Sequence, residues 1–134
     1  MLEKLEVRTE SRTAMKDITA AVDGIVSKSG ITSGLCCVFV PHTTAAVTVN
    51  ENADPDVRID IIRELDRIIP FDDGYLHGEG NSAAHIKASL VGPSVVLMVD
   101  GGRLLLGTWQ GVFLCEFDGP RLRSVYVKIV LPAG

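Results

Sequence analysis

The chain begins with an alternation of apolar and polar residues over positions 3–9, where Leu5 and Val7 stand between charged neighbours. A period of two predicts a half-buried strand. Six further apolar segments bounded by turn residues predict the remaining strands, and they cover residues 35–40, 45–49, 95–99, 103–106, 112–117 and 125–131. The segment 95–99 reads as fully buried, and Asp100-Gly101-Gly102 after it is typical of a hairpin turn. We therefore expect the last third of the chain to be entirely β.

Helices are predicted where apolar residues recur every three or four positions. The first is expected to begin near Ser11 or Thr13 and to end near Gly30. Its apolar stripe comprises Met15, Ile18, Val22, Ile25 and Val26. The second is expected to begin at Asp54, an N-cap residue followed by Pro55 at the first helical position, and to end before Pro70. Its buried stripe would comprise Val57, Ile61, Leu65 and Ile68.

A glycine-rich loop over residues 70–81 leads into a short third helix, which Asn81 or Ser82 is expected to cap and which reaches about Leu90. Its predicted apolar stripe comprises Ala83, Ile86 and Leu90. His85 falls on a separate polar stripe with Ser82 and Ser89.

The element order is therefore β-α-β-β-α-α-β-β-β-β. It predicts the α+β class, with a largely antiparallel or mixed sheet, two main helices and a short third one. The length of 134 residues is common for one domain, so we expect a single domain over residues 1–134.

Composition narrows the possible partners. The net charge of −4 argues against nucleic acid or an anionic membrane as the main partner. The chain has no apolar run of about 20 residues and its charged start lacks a signal-peptide core, so we expect a cytoplasmic protein. Cys36, Cys37 and Cys115 lack metal or disulfide spacing and are expected to be small core residues.

The three histidines are the main candidates for chemistry, because imidazole is the commonest metal ligand and titrates near neutral pH. His42 lies between two predicted strands, whereas His77 and His85 flank a glycine-rich loop and a helix start. Their spacing matches no standard zinc signature, and a single histidine is more often a structural residue. The prediction of a shared site therefore depends on folding bringing them together.

Polar residues near the histidines extend the candidate site. Glu79 is suited to proton transfer or metal binding, and Lys87 would add positive charge. Asn81 and Ser82 stand at a helix N-terminus, which favours an anion. In the last third, Gln110 is a candidate for binding a substrate heteroatom. Arg121 and Arg123 are candidates for a phosphate clamp, although a solvated hairpin end is an alternative. Glu116 needs a partner in its apolar strand, and one of these arginines would supply it.

Five segments together are specific enough to indicate a family. They are His42-Thr43-Thr44-Ala45, the run from Asn50 to Val57, the run from Glu79 to Leu90, Gly107-Thr108-Trp109-Gln110-Gly111, and the run from Glu116 to Arg121. In this order they cover nearly the whole chain, and they resemble the YjbQ family, also called UPF0047.

This resemblance implies a compact α+β homotrimer whose metal-bearing pocket uses histidines matching His42, His77 and His85. It also implies a possible thiamine-phosphate synthase activity, which joins hydroxymethylpyrimidine diphosphate to thiazole phosphate and releases pyrophosphate. On this hypothesis Glu79, Lys87 and Gln110 are catalytic, and Asn81, Ser82 and Arg121 bind a small phosphorylated or anionic molecule. A histidine triad suits Zn²⁺ or a similar ion better than Mg²⁺, so either the thiamine chemistry is a side activity or Mg²⁺ arrives with the diphosphate and binds elsewhere.

Two other classes of function stay open. The chain is alternatively a trimeric protein that binds a metal or small anion without turnover. A third possibility is that the motifs serve subunit packing, in which case histidine replacements would break assembly and leave metal content unchanged.

Overall fold

Residues 2–131 are described in the computed structural model, and within them eleven elements follow one another. The strands are β1 Leu2–Arg8, β2 Ala14–Asp17, β3 Ser33–Phe39, β4 Ala45–Glu51, β5 Ser94–Asp100, β6 Arg103–Leu104, β7 Gln110–Glu116 and β8 Leu122–Val130. The helices are α1 Thr19–Ser29, α2 Pro55–Ile68 and α3 Ser82–Val91. The predicted element order is confirmed except for one additional strand, β2.

The strands form two antiparallel sheets. The larger has the order β1-β8-β3-β5-β6, and the smaller has the order β2-β7-β4. Because β7 and β8 belong to different sheets, the turn at residues 118–120 carries the chain from one sheet to the other. The α+β class and the antiparallel pairing are thus as predicted from the sequence.

Two apolar cores separate three layers. The first core lies between the two sheets and α1; it is built mainly from valines, including Val22, Val38, Val112 and Val127. The second lies between the smaller sheet and α2 and α3, around Phe113. Since β7 has a core on each of its faces, nearly every residue in it is buried. Cys36 and Cys115 are buried in these cores, as predicted, whereas Cys37 is only partly buried and belongs to neither core.

The prediction that the first helix begins near Ser11 or Thr13 is wrong. Residues 14–17 form β2, and Met15 pairs with Cys115 in the edge of the smaller sheet. The spacing of Met15 and Ile18 fits a helix, but Met15 packs in the second core while Ile18 packs in the first. The open edge of β7 supplies backbone hydrogen bonds that a helix over these residues would forgo.

The start of α2 is confirmed: the Asp54 side chain accepts a hydrogen bond of 2.9 Å from the backbone N–H of Asp56, and Pro55 begins the helix. Its apolar stripe packs less deeply than predicted. Ile61 and Leu65 contact the second core, whereas Ile68 is exposed.

The predicted apolar stripe of α3 is rotated from the observed one. Ala83, Ala84, Lys87 and Ala88 are buried, whereas Ile86 and Leu90 are exposed. Alanines allow α3 to pack closely on the smaller sheet beside Ala46, and larger side chains would hold the helix away.

The outer face of the larger sheet is apolar and uncovered in this chain. Val96 is 60% exposed and Met98 is 62% exposed, so the prediction of a fully buried strand over residues 95–99 is wrong. Leu35, Phe39 and Val130 lie on the same face and are also exposed. We call these five residues the outer face. No helix within residues 2–131 is both long and apolar enough to cross a membrane.

A histidine cleft as the candidate functional site

The first core ends in a buried polar cluster, which comprises Thr9, Thr44, Glu116 and Arg123. Glu116 follows Val112 and Leu114 on one face of β7 and is fully buried. Arg123 of β8 donates from Nε to Glu116 Oε1 over 2.8 Å, and its Nη2 donates to the other carboxylate oxygen. The expectation that an arginine compensates Glu116 is therefore confirmed, and Arg123 is that arginine.

Two threonines complete the polar cluster. Thr9 Oγ1 donates to Glu116 Oε1 over 2.7 Å, and Arg123 Nη2 donates to Thr44 Oγ1 over 2.8 Å. Burial by itself raises the pKa of Glu116, but the hydrogen bonds from Arg123, Thr9 and the Asp118 backbone outweigh it and lower the pKa below its ordinary value. The pair is thus ionised at neutral pH.

An open cleft of about 830 Å³ lies against this cluster. All three histidines line it, together with Glu79, Asn81, Asp118, Arg121 and Arg123 on its polar side and Phe39, Val40, Pro41 and Pro93 on its apolar side. The fold therefore gathers residues from β3, α3, β8 and the loops between elements.

His77 and His85 are adjacent in space. His77 lies in the loop before α3 and His85 lies in the second turn of α3. Their ring centroids are 5.5 Å apart, with perpendicular planes. The glycines at 78 and 80 let the loop turn back toward the helix, and Gly80 has a φ of 77°, which favours glycine.

His42 occupies a different position in the cleft. Its Nε2 accepts a hydrogen bond of 2.9 Å from the backbone N–H of Ser124 in β8. Burial and the nearby Arg123 lower the pKa of His42, although the charge of Glu116 acts in the opposite direction. His42 is therefore a neutral ring at pH 7.

Asn81 does not cap α3 with its side chain, contrary to the expectation from sequence. Its Nδ2 instead donates to Asp118 Oδ2 over 2.9 Å, because an ionised carboxylate is a stronger acceptor than the alternatives nearby. Its Oδ1 is buried and has no hydrogen-bond donor among the described residues. Asn81 thus presents a free acceptor beside the cleft.

The arginines of the cleft are already paired with carboxylates. Arg121 Nη2 donates to Asp118 Oδ2 over 2.9 Å, and Arg123 is paired with Glu116. Burial raises the pKa of Asp118, but its bonds from Asn81 and Arg121 lower it overall. Gly119 lets this loop pack tightly, since a Cβ there would lie 2.9 Å from Thr9 Oγ1.

The remaining polar side chains of the cleft are mainly hydrogen-bond acceptors, which are suited to binding a cation. The side chains of Glu79, His77 and His85 have no hydrogen bond or ion pair to any other residue in the part of the chain described. Within residues 2–131, no three His, Cys, Asp or Glu side chains already converge in the geometry of a metal centre. The metal set predicted from sequence stays a prediction.

Three residues predicted to act in the site lie outside the cleft. Lys87 is 3% exposed and pairs with Asp66, tying α3 to α2. Gln110 is exposed, and its Oε1 accepts a hydrogen bond of 2.8 Å from the Gly107 backbone. Ser82 begins α3 but does not line the cleft.

Two residues that line the cleft are difficult to recognise as site residues from the sequence. Asp118 reads as part of a turn, and Arg123 reads as one of two candidate clamps. The signal for Arg123 was indirect, since a charged residue in the apolar run 112–117 demands a counter-charge. No local pattern pointed to Asp118, because its partners are 37 and 3 residues away in opposite directions.

Comparison with known proteins gives a consistent result. The family described as UPF0047 protein YjbQ-like matches residues 3–131. UPF0047 protein YugU of Bacillus subtilis is 50% identical over 131 residues, which cover 97% of this chain and 99% of that protein. UPF0047 protein MJ1081 of Methanocaldococcus jannaschii is also 50% identical, covering 97% of this chain and 94% of that protein.

Solved structures agree with the fold. A crystal structure of an uncharacterised conserved protein from Clostridium acetobutylicum has a TM-score of 0.94 and 50% identity, covering 96% of this chain and 99% of that one. A protein of unknown function from Sulfolobus solfataricus has a TM-score of 0.93 and 36% identity, covering 96% and 95%. None of these four relatives has a name that states an activity.

Proposed function

The chain belongs to the YjbQ-like UPF0047 family, and on that premise we propose that its histidine cleft is the site of a metal-dependent enzyme acting on a small phosphorylated or anionic molecule. The observation that carries this proposal is the contact between His77 and His85.

The two rings are spaced as ligands of one ion would be. Two imidazoles bound at about 2.0–2.1 Å to a tetrahedral ion have centroids about 5 Å apart. The observed separation of His77 and His85 is 5.5 Å. Asn81, which lines the same cleft, adds the Oδ1 atom that has no donor among the described residues. This set of nitrogen and oxygen donors fits Zn²⁺ or a similar divalent ion.

The charges in the cleft favour binding of a metal cation first and of an anionic substrate afterwards. Because Arg121 and Arg123 are each paired with a carboxylate, the metal-free cleft has little net positive charge to attract phosphate. A bound divalent ion would supply Lewis acidity and an open coordination position for a substrate oxygen. Arg121, exposed at the rim, would then orient the phosphate, since a guanidinium matches phosphate geometry.

The chain's own residues would divide the remaining tasks. Glu79 carries the unpaired carboxylate of the cleft and is our candidate for proton transfer. Pro41 and Pro93 would hold the apolar part of the substrate and exclude water from it. Lys87 and Gln110 receive no catalytic role in this proposal, because both lie outside the cleft.

The reaction to test first is thiamine-phosphate formation, which the family resemblance suggests. We expect purified protein to release pyrophosphate from hydroxymethylpyrimidine diphosphate and thiazole phosphate in the presence of Mg²⁺. Removal of the histidine-bound metal by a chelator, followed by return of Mg²⁺ alone, is expected to leave activity low. Zn²⁺ is expected to restore it. Equal activity in wild type and Glu79→Gln would contradict the assignment of Glu79.

A non-catalytic role is the second candidate, and one observation favours it. Two of the three residues predicted to be catalytic lie away from the cleft, so the cleft offers few groups for proton transfer. A binding protein would hold metal and a phosphorylated ligand with no product formed over hours. The assay above separates the two candidates, because it measures pyrophosphate release directly.

We also propose that identical chains assemble through the outer face as a homotrimer. Five large apolar side chains on one sheet face form a patch of the kind that marks protein–protein contacts. Replacing Val96 and Met98 with Asp is expected to reduce the mass in solution from that of three chains to that of one. Multi-angle light scattering measures this mass.

The matched control for assembly is Ile59→Asp. Ile59 is a similarly exposed apolar residue on α2, away from the outer face. This control is expected to remain a trimer. A monomeric wild type, or a trimeric Val96→Asp/Met98→Asp variant, would refute the proposed interface.

A further inference from the structure

We propose that His42 acts in the cleft as a neutral hydrogen-bond donor to an anionic oxygen of the bound molecule, through Nδ1–H, and that it is not a third metal ligand. The nature of the acceptor rests on the proposed function of the cleft. The assignment of the donor atom rests on the fold alone, as follows.

Because β3 ends early, one backbone N–H of β8 has no acceptor in the sheet, and His42 accepts its hydrogen bond instead. In the β3–β8 ladder the last pair is Phe39 with Tyr126, and continuing that register would place Pro41 opposite Ser124. The chain leaves the sheet before that point, so the backbone N–H of Ser124 loses its ladder acceptor. The Nε2 atom of His42 replaces it, at 2.9 Å.

This hydrogen bond determines which ring nitrogen carries the proton. A backbone N–H can only donate, so Nε2 of His42 must be the unprotonated nitrogen. A neutral imidazole carries one proton, which therefore resides on Nδ1. Within residues 2–131, Nδ1 has no hydrogen-bond partner, it is not among the buried polar atoms, and the ring lines the cleft. Nδ1–H is thus available to a ligand.

The same bond opposes metal binding by His42. An ion at Nε2 would displace the N–H of Ser124 and leave that donor unpaired in a half-buried position. An ion at Nδ1 would require both ring nitrogens to be without protons. His77 and His85 carry no such restriction, because neither ring nitrogen of either residue is hydrogen-bonded within the described part of the chain.

The surroundings of His42 favour an anion at Nδ1. Arg121 and Arg123 line the cleft with it, each paired with a carboxylate, Asp118 and Glu116 respectively, so that a metal ion at His77 and His85 would supply the positive charge that draws an anion toward Nδ1–H. The burial of the ring and the proximity of Arg123 lower the pKa of His42, which keeps the ring in the neutral form with a single donor. One oxygen of a phosphate would accept from Nδ1–H while another faces Arg121.

The first test reads the tautomer directly. In protein labelled with ¹⁵N-histidine and free of metal, the Nδ1 resonance of His42 is expected to be of the protonated type and Nε2 of the acceptor type. Addition of Zn²⁺ alone is expected to shift the nitrogens of His77 and His85 and to leave that tautomer in place. The opposite tautomer, or a metal-induced shift of a His42 nitrogen, would overturn the inference.

The second test uses two variants, each of which retains one of the two hydrogen-bonding functions of the imidazole. In His42→Gln, the side-chain oxygen reaches the position of Nε2 and keeps the bond from Ser124, but the donor at Nδ1 is lost. In His42→Asn, the amide nitrogen takes the place of Nδ1 and keeps the donor. We expect wild type and both variants to bind one Zn²⁺ per chain.

Inorganic phosphate then separates the two variants. Loss of a hydrogen bond to a charged group weakens binding about tenfold or more. His42→Gln is expected to lose that much phosphate affinity in the Zn²⁺-loaded protein, whereas His42→Asn is expected to lose little. Loss of Zn²⁺ from both variants, or equal phosphate affinity in His42→Gln and wild type, would overturn the inference. Failure of wild type to bind Zn²⁺ would reject the proposed metal site, while the tautomer measured without metal would still decide the role of His42.

Discussion

Replacing Arg123 with methionine is expected to lower the free energy of unfolding by about 3–5 kcal/mol at pH 7, because it leaves the charge of Glu116 buried without its cation. Glu116 is fully buried, and its remaining donors are the Thr9 hydroxyl and the Asp118 backbone N–H. Chemical denaturation followed by circular dichroism measures the effect. It is the largest change in stability that we expect from any single replacement near the cleft.

The matched control is Arg103→Met. Arg103 also pairs with a carboxylate, that of Asp23, but its side chain is 75% exposed. Exposed pairs contribute only about 0–1 kcal/mol, so this variant is expected to be nearly as stable as wild type. The double variant Arg123→Met/Glu116→Leu is expected to recover much of the loss, since it removes both charges. Equal stability of the Arg123 and Arg103 variants would show that the buried pair is not the decisive interaction.

The pH dependence of the Arg123 variant has a defined sign. In wild type the folded pKa of Glu116 lies below its ordinary value of 4.5, so its stabilising contribution is present above that pH and is lost as the pH falls through the folded pKa. Without Arg123, burial dominates and raises the folded pKa. The difference in stability between wild type and variant is therefore expected to be largest near pH 7 and to shrink as the pH falls from the raised pKa of the variant to the lowered pKa of wild type. A difference that grows in acid would contradict this account.

Replacing His85 with alanine is expected to weaken Zn²⁺ binding by at least about 100-fold, since even removal of a group that supports a ligand costs 10–100-fold. The effect follows from the proposal that His77 and His85 share one ion, as their 5.5 Å separation suggests. Isothermal titration of the metal-free protein with Zn²⁺ measures the loss. His77→Ala is expected to have a similar effect.

A control on the same helix separates loss of a ligand from damage to the fold. Ser89 is an exposed residue one turn after His85, and Ser89→Ala is expected to keep the Zn²⁺ affinity of wild type. His85→Ala is expected to keep the assembly state of wild type, because His85 is not one of the outer-face residues. Loss of assembly with unchanged metal affinity would favour the alternative that the histidine motifs serve subunit packing.

Local signals in the sequence were reliable where the interactions they predict are local. The start of α2 depends on Asp54 and Pro55, whose effects act within two residues, and it forms as predicted. The hairpin at residues 100–102 likewise depends on the glycines between paired strands. The need of Glu116 for a cation was also readable, because a charge in an apolar strand must be compensated wherever its partner lies.

The predictions from sequence were wrong where one pattern of apolar residues is compatible with two different structures. Met15 and Ile18 have helical spacing, yet β2 forms there because β7, about 100 residues later, offers an unpaired edge. The stripe of α3 is rotated because close packing on Ala46 selects small residues over Ile86 and Leu90. The strand over residues 95–99 has one uncovered face, and apolar composition alone does not reveal which faces are covered within one chain.

The sequence by itself therefore determined the α+β class, nearly the whole order of elements, the family, and the residue types from which the site is built. Only the tertiary structure decided which of those residues meet: His77 with His85, Arg123 with Glu116, and His42 with a backbone N–H 82 positions away. The physical reason is that helix starts and turns depend on interactions within a few residues. The partners of a buried polar atom, in contrast, depend on sheet register and layer packing, which join distant parts of the chain.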